Sequence, residues 1–260
     1  MEQDKDKQGM NTLITGASSG IGEALALACA ARGDALFLSG RDETRLNAVA
    51  EKCRAASGGA PVVAQTVDVA DRDAMASWIE ECDRTAPLAR VFANAGVSTG
   101  EENTANVRRT FDTNALGVVN TVLPAIEAMR RRPKDACRQI VITASIAGYG
   151  PLKACPSYSA TKACVKTWGL ALRGMLAPEG IRVSVVCPGF VRSRITDANT
   201  CPMPFFMEAD RAARTILRRA DRNVGLIAFP WPMRLGAWAL SVLPWRANEL
   251  LNRLLPKKVI

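Results

Sequence analysis

Histidine is absent from this sequence of 260 residues. That absence excludes every catalytic triad built on imidazole and removes the commonest zinc ligand. The eight cysteines, at 29, 53, 82, 137, 155, 164, 187 and 201, contain no Cys-x-x-Cys pair. No metal site is expected, and the thiols read as reduced, mostly buried groups of a cytoplasmic protein. Residues 1–9, MEQDKDKQG, are charged and lack an apolar core. They read as a short frayed leader and not as a signal peptide. No stretch of disorder-like composition divides the chain, and no short internal repeat is visible.

Acidic residues are scarce at one end. The net charge is +9, and residues 211–260 hold ten Lys or Arg against Asp221 and Glu249. No recognised nucleic-acid-binding motif accompanies this excess, so no nucleic acid partner is expected. A solvated or membrane-facing basic surface is the preferred reading.

What is present is an alternation. Short apolar runs at 11–16, 35–39, 61–69, 89–96, 138–145, 181–189 and 224–229 predict seven strands. Helical patterns fall between them, at 20–33, from a cap at Asp42 to about 56, from a cap at Asp71 to about 85, in a long region to about 131, and at 157–177. Runs apolar on both faces, separated by helices, predict an α/β fold: a single-domain, doubly wound parallel sheet of about seven strands, Rossmann-like, covered on both sides. The expected domain is 10–229, followed by a C-terminal helical extension, 230–260.

Three groups of residues carry chemistry. TGASSGIG, residues 15–22, lies between the first strand and the first helix. Its glycines let backbone N–H groups approach a pyrophosphate, whose charge a helix N-terminus favours. The second strand ends in Gly40, Arg41 and Asp42. A guanidinium suits a ribose 2′-phosphate, which favours NADP(H). The alternative is Asp42 on the ribose hydroxyls, with NAD(H), but Asp42 is better used as a helix cap. Tyr158 and Lys162 stand four apart, on one face of a helix. An ammonium beside a phenol favours phenolate and would bring the tyrosine nearer neutral pH.

The pattern Thr-Gly-x-x-x-Gly-x-Gly, Asn94-Ala95-Gly96, Asn114, Ser145 thirteen residues before Tyr158, Lys162, and Pro188-Gly189 occur in one order. In these the sequence resembles the short-chain dehydrogenase/reductase family, in its Tyr-x-x-x-Lys branch, over roughly residues 10–195. The resemblance implies an NADP(H)-dependent oxidoreductase that interconverts a ketone or aldehyde and its alcohol. It implies Tyr158 as proton donor and acceptor, Lys162 as the group that lowers its pKa and holds the nicotinamide ribose, Ser145 as the group that orients the substrate oxygen, and Asn114 as holder of a relay water. The cofactor would be held by Gly16, Ser18, Ser19, Gly20, Ile21 and Gly22, then Arg41, Asp68, Val69, Asn94, Ala95 and Gly96, and finally by Tyr158, Lys162, Pro188, Gly189, Val191 and Ser193. Ser193 stands where the family commonly has threonine at the nicotinamide carboxamide. The family is commonly dimeric or tetrameric, which implies a homodimer or homotetramer. A non-catalytic NADP(H)-sensing module would be expected to have lost Tyr158, Lys162 or Ser145.

Residues 194–210 occupy the place of the family's substrate loop. Met203, Phe205, Phe206 and Met207, with Leu152 and Cys155, form either an apolar substrate wall or the loop's own packing. From 224 the chain is mostly apolar but interrupted by three prolines and Arg234, so a membrane-spanning helix is not expected. Two short helices with wide apolar faces are predicted within 230–260, Leu250, Leu251, Leu254 and Leu255 sharing one face of the second. Those faces would be buried against the active site, a partner subunit or a membrane surface, the first two being preferred. The membrane alternative would make the protein a peripheral lipid or sterol-like carbonyl reductase.

Overall fold

The computed structural model describes residues 9–199 and 202–254, with the side chains of 251–254 outside the description. The expected leader, apart from Gly9, and the apolar face attributed to Leu251, Leu254 and Leu255 therefore lie outside the described residues.

Seven parallel strands form one sheet in the order β3-β2-β1-β4-β5-β6-β7. They are β1 (Asn11–Thr15), β2 (Ala35–Gly40), β3 (Val62–Thr66), β4 (Arg90–Ala93), β5 (Gln139–Thr143), β6 (Arg182–Pro188) and β7 (Leu226–Phe229). The central strands are buried along their whole length, as the two-sided apolar runs require. On one face lie α1 (Gly20–Ala30), α2 (Glu43–Ala56) and α8 (Ala209–Asp221), packed through Leu25, Leu46, Val49, Ile216 and Leu217. On the other lie α3 (Arg72–Thr85), α5 (Gly117–Arg130) and α6 (Pro156–Leu176), through Met75, Ile79, Val122, Ile126 and Val165.

The long helical region after β4 is not continuous. A loop precedes α4 (Thr104–Phe111), and a π-helical turn, Asp112–Leu116, joins α4 to α5. Two helices were not legible in the substrate-loop region and beyond it. One is the four-residue α7 (Arg194–Asp197), closed by a capping box between Ser193 and Thr196; the other is α8. In α8 the buried positions 212, 213, 216, 217 and 220 follow the helical period. The chain ends in α9 (Trp231–Val242) and α10 (Trp245–Leu254).

Right-handed crossovers place every β-to-α loop at the carboxyl edge of the sheet. The glycine loop follows β1, Arg41 follows β2, Asn94 to Gly96 follow β4, Ser145 follows β5 and Gly189 follows β6. The topology thereby gathers residues that are far apart in sequence.

Candidate active site

The glycine loop closes upon itself by backbone contacts that side chains would block. Gly16 has φ +65°, and a Cβ there would stand 2.7 Å from the Ala95 Cα. A Cβ on Gly22 would stand 2.1 Å from the Gly16 carbonyl oxygen. A Cβ on Gly20, whose φ is +58°, would stand 2.8 Å from the Ser193 Cβ. Ser19 precedes α1 in extended conformation, and no side chain caps that helix. Its first-turn N–H groups therefore have no side-chain cap, which fits a dinucleotide pyrophosphate. Ser18 approaches Gly40 at the end of β2, where a Cβ would be 3.2 Å from its hydroxyl.

At the adenosine end, the Asp42 carboxylate accepts the Arg45 backbone N–H at 2.9 Å and pairs with the Arg45 guanidinium at 2.7 Å. It is the cap of α2. Arg41 is half-exposed and lies 3.8 Å from Asp68, whose carboxylate also accepts the Ala70 N–H at 3.0 Å. Val69 is buried, with its carbonyl accepting from the Asn120 amide at 2.9 Å.

The Asn94 side chain is engaged within the fold. Its amide donates to the Thr15 carbonyl at 3.2 Å and its carbonyl accepts from the Thr143 hydroxyl at 3.2 Å. The side chain ties the ends of β1 and β5, and the backbone of Ala95 and Gly96 is what borders the cleft. A Cβ at Gly96 would sit tightly against both Asn114 Oδ1 and Lys162 Nζ, at 3.3 Å.

Lys162 is buried, and its ammonium donates to the Thr143 carbonyl at 2.9 Å. It lies 5.8 Å from the centroid of the Tyr158 ring. Asn114, in the π turn, accepts the Val97 N–H at 2.7 Å, donates to the Val97 carbonyl at 2.8 Å and reaches the Thr161 hydroxyl at 3.4 Å. The wide turn thus aims a polar side chain into the junction of α6 and the loop after β4. Ser145 accepts the Ala147 N–H at 3.1 Å and is hydrogen-bonded to Tyr158. Ser145, Tyr158 and Lys162 come together, although they sit on a loop and a helix.

Burial opposes the expected acidification of Tyr158. Burial pushes its phenol up to about 12; the hydrogen bond from Ser145 pulls the other way and the nearby Cys155 thiol adds to the rise. Burial also lowers Lys162 to about 8, which the Cys187 thiol opposes. Desolvation therefore governs both groups, each being held toward its neutral form.

The loop expectations are only partly met. Phe205 is 57 % exposed at φ +56°, and the Phe206 ring lies 5.1 Å beneath the Arg192 guanidinium. An isolated bridge pairs Val191 with Met207, next to these two rings. Met203 is partly buried, and Leu152 and Cys155 lie at the approach to α6. Ser193 is already engaged as the cap of α7, though it remains against Gly20.

Three contributors had no sequence signal short enough to read. Glu102 accepts from both the backbone N–H of Ser157, at 2.9 Å, and its hydroxyl, at 2.8 Å, placing a carboxylate at the N-terminus of the Tyr158 helix. Val97 holds Asn114 from 17 residues away. Met233 of α9 packs on Gly189, where a Cβ would be 2.7 Å from its sulfur.

Comparison with known proteins agrees with this geometry. The family model for short chain dehydrogenase matches residues 10–202. An uncharacterised oxidoreductase of Myxococcus xanthus is 36 % identical over 238 residues, covering 89 % of this chain and 92 % of that protein. A short-chain dehydrogenase from Sphingobium yanoikuyae, solved in complex with NADPH, is 27 % identical with a TM-score of 0.77, covering 95 % and 96 % of the two chains. A Burkholderia phymatum short-chain dehydrogenase/reductase, solved with NAD, shares the fold at a TM-score of 0.82 and 24 % identity, over 98 % of this chain and 100 % of that one. With a sheet, a glycine loop and a Ser-Tyr-Lys cluster in this arrangement, the chain belongs to the short-chain dehydrogenase/reductase family, oxidoreductases of the CH–OH/C=O pair that bind NAD(P).

Proposed function

We propose that this protein is an NADP(H)-dependent reductase that converts an apolar ketone or aldehyde to its alcohol, and runs in reverse as a dehydrogenase. The observation that carries the cofactor choice is at the end of β2. Asp42 is consumed as the cap and ion-pair partner of α2, whereas Arg41 has only a long contact with Asp68. A guanidinium with that freedom suits a 2′-phosphate, and the carboxylate that would favour NAD(H) is committed elsewhere.

When bound, the nicotinamide supplies or accepts the hydride. The residues of the chain do the rest. Ser145 hydrogen-bonds the carbonyl oxygen and polarises it. Tyr158 gives its proton to that oxygen. Burial keeps that phenol protonated at neutral pH, as a proton donor requires. Lys162, charged below about 8, stabilises the phenolate as it forms and binds the ribose hydroxyls. Asn114 would hold a water through which Lys162 and Tyr158 regain a proton from solvent.

Partners and setting follow from other features. Leu116, Leu123, Leu170 and Met175, exposed on the π turn, α5 and α6, support a homodimer or homotetramer. Among the described residues the cysteines are free thiols, which supports a cytoplasmic setting. Among those residues, too, no helix is long and apolar enough to cross a membrane.

The test is Arg41→Asp, assayed by kcat/KM with NADPH and with NADH. Loss of a charge-assisted bidentate contact, about 1.5–3 kcal/mol, lowers the NADPH:NADH preference by about ten- to a hundredfold. An unchanged ratio moves the 2′-phosphate contact to another residue.

A further inference from the structure

The outward face of α9 is unlike the rest of the surface. Trp231, Leu235, Trp238 and Val242 are spaced four, three and four residues apart and form one stripe. They are 75 %, 56 %, 55 % and 60 % exposed. Trp245, which opens α10, is 69 % exposed and has the Arg246 guanidinium 5.7 Å from its ring. The opposite face of α9 is already occupied: Met233 meets Gly189, Leu240 meets Gly150 and Ala237 is buried. The stripe borders a cavity of about 400 Å³ whose walls include Tyr149, Leu226 and Arg234. Large side chains this exposed among the described residues, on a helix whose other face is packed, need an apolar partner.

Charge selects the partner. From residue 230 onward the sequence has five basic residues, Arg234, Arg246, Arg253, Lys257 and Lys258, against the single acid Glu249. Arg234 sits one residue before Leu235, at the edge of the stripe. In a two-fold contact between copies, the same patch would meet itself and bring Arg234 and Arg246 against their counterparts. The exposed apolar residues of α5 and α6 offer self-association a separate surface. A bilayer rich in anionic phospholipid answers both features at once. Its headgroups pair with arginine, and tryptophan partitions to the boundary between headgroup and acyl chain. We infer that α9 and α10 form a peripheral docking surface for an anionic phospholipid bilayer, lying in its interface without crossing it.

The experiment is flotation of the full-length protein with unilamellar vesicles, either phosphatidylcholine alone or phosphatidylcholine with phosphatidylglycerol, at low and high salt. The protein is expected to float with the anionic vesicles and to be released in part by salt. Trp231→Ser, Trp238→Ser and Trp245→Ser combined should lower vesicle partitioning about tenfold or more. Arg234→Glu with Arg246→Glu keeps the apolar stripe and should weaken only the anionic binding. If the triple variant fails to fold, as read by thermal melting, the arginine pair decides alone. Wild-type protein that stays unbound with anionic vesicles overturns the inference. So does binding that neither set of substitutions changes, or an oligomer mass by light scattering that falls in the triple variant while vesicles bind nothing. None of these readouts depends on turnover, so failure here leaves the reductase reading intact, and failure of the reductase reading leaves this one.

Discussion

Lys162 meets two demands that burial sets against each other: it must be charged to favour the phenolate, yet its surroundings favour the neutral amine. With its value lowered to about 8, the ammonium is present below that pH and lost above it. The expected outcome is a kcat/KM for NADPH that is flat at neutral pH and declines as the pH rises through about 8. A profile still flat well above that point would show that Lys162 keeps its proton. Tyr158→Phe removes the proton that reaches the substrate oxygen, and a fall in kcat of about 10²–10⁴ is expected with NADPH affinity preserved. Steady-state rates and cofactor fluorescence titration separate the two quantities, and near-normal turnover would end the assignment. The identities of these residues were legible from spacing and family resemblance. Their titration was not, since desolvation depends on what the fold brings near: the lysine sees Thr143, and the phenol sees Ser145. Glu102 was illegible for the same reason, because 55 residues separate it from the helix end it caps.

Among the elements, α1 was read correctly because its glycine loop is local. The structure adds why the loop tolerates so little: at Gly22 both the Gly16 carbonyl carbon and oxygen are within van der Waals reach. Gly22→Ala forces backbone to move, at a cost of about 1–3 kcal/mol of stability, and NADPH binding should weaken more than tenfold. Urea denaturation and cofactor titration measure both, and a variant matching wild type in each would mean that the loop has slack. The segment 194–210 was harder. Its aromatics were legible as apolar, but the exposure of Phe205 and the seat of Phe206 under Arg192 were not. The bridge from Val191 to Met207 is a pairing that only the folded chain reveals. For α9 the sequence named the apolar faces and left their destination open. The helix uses one face on its own domain, through Met233 and Leu240, and leaves the other uncovered.

For the whole molecule, the alternation of strand and helix was enough to give a doubly wound parallel sheet, although most strands were read one to four residues too long and β2 one residue too short. Apolar runs extend into loops that are themselves buried, as at Val67 and Val69 beyond β3. Oligomerisation is a property at this scale. If α5 and α6 pair with another copy, Leu123→Glu with Met175→Glu should bury charge in that contact and lower the mass seen by light scattering, without shifting the fold's far-UV spectrum. An unchanged mass would send the search for the subunit contact elsewhere. The placement of α9 has a consequence of another kind. One rigid helix touches Gly189 with its inner side and presents tryptophan with its outer side, so its position is common to two equilibria. Reciprocity then holds between them: if occupation of the cleft favours one seating of Met233, anything gripping the outer side in that seating is held more tightly by the same factor, and the reverse is equally true.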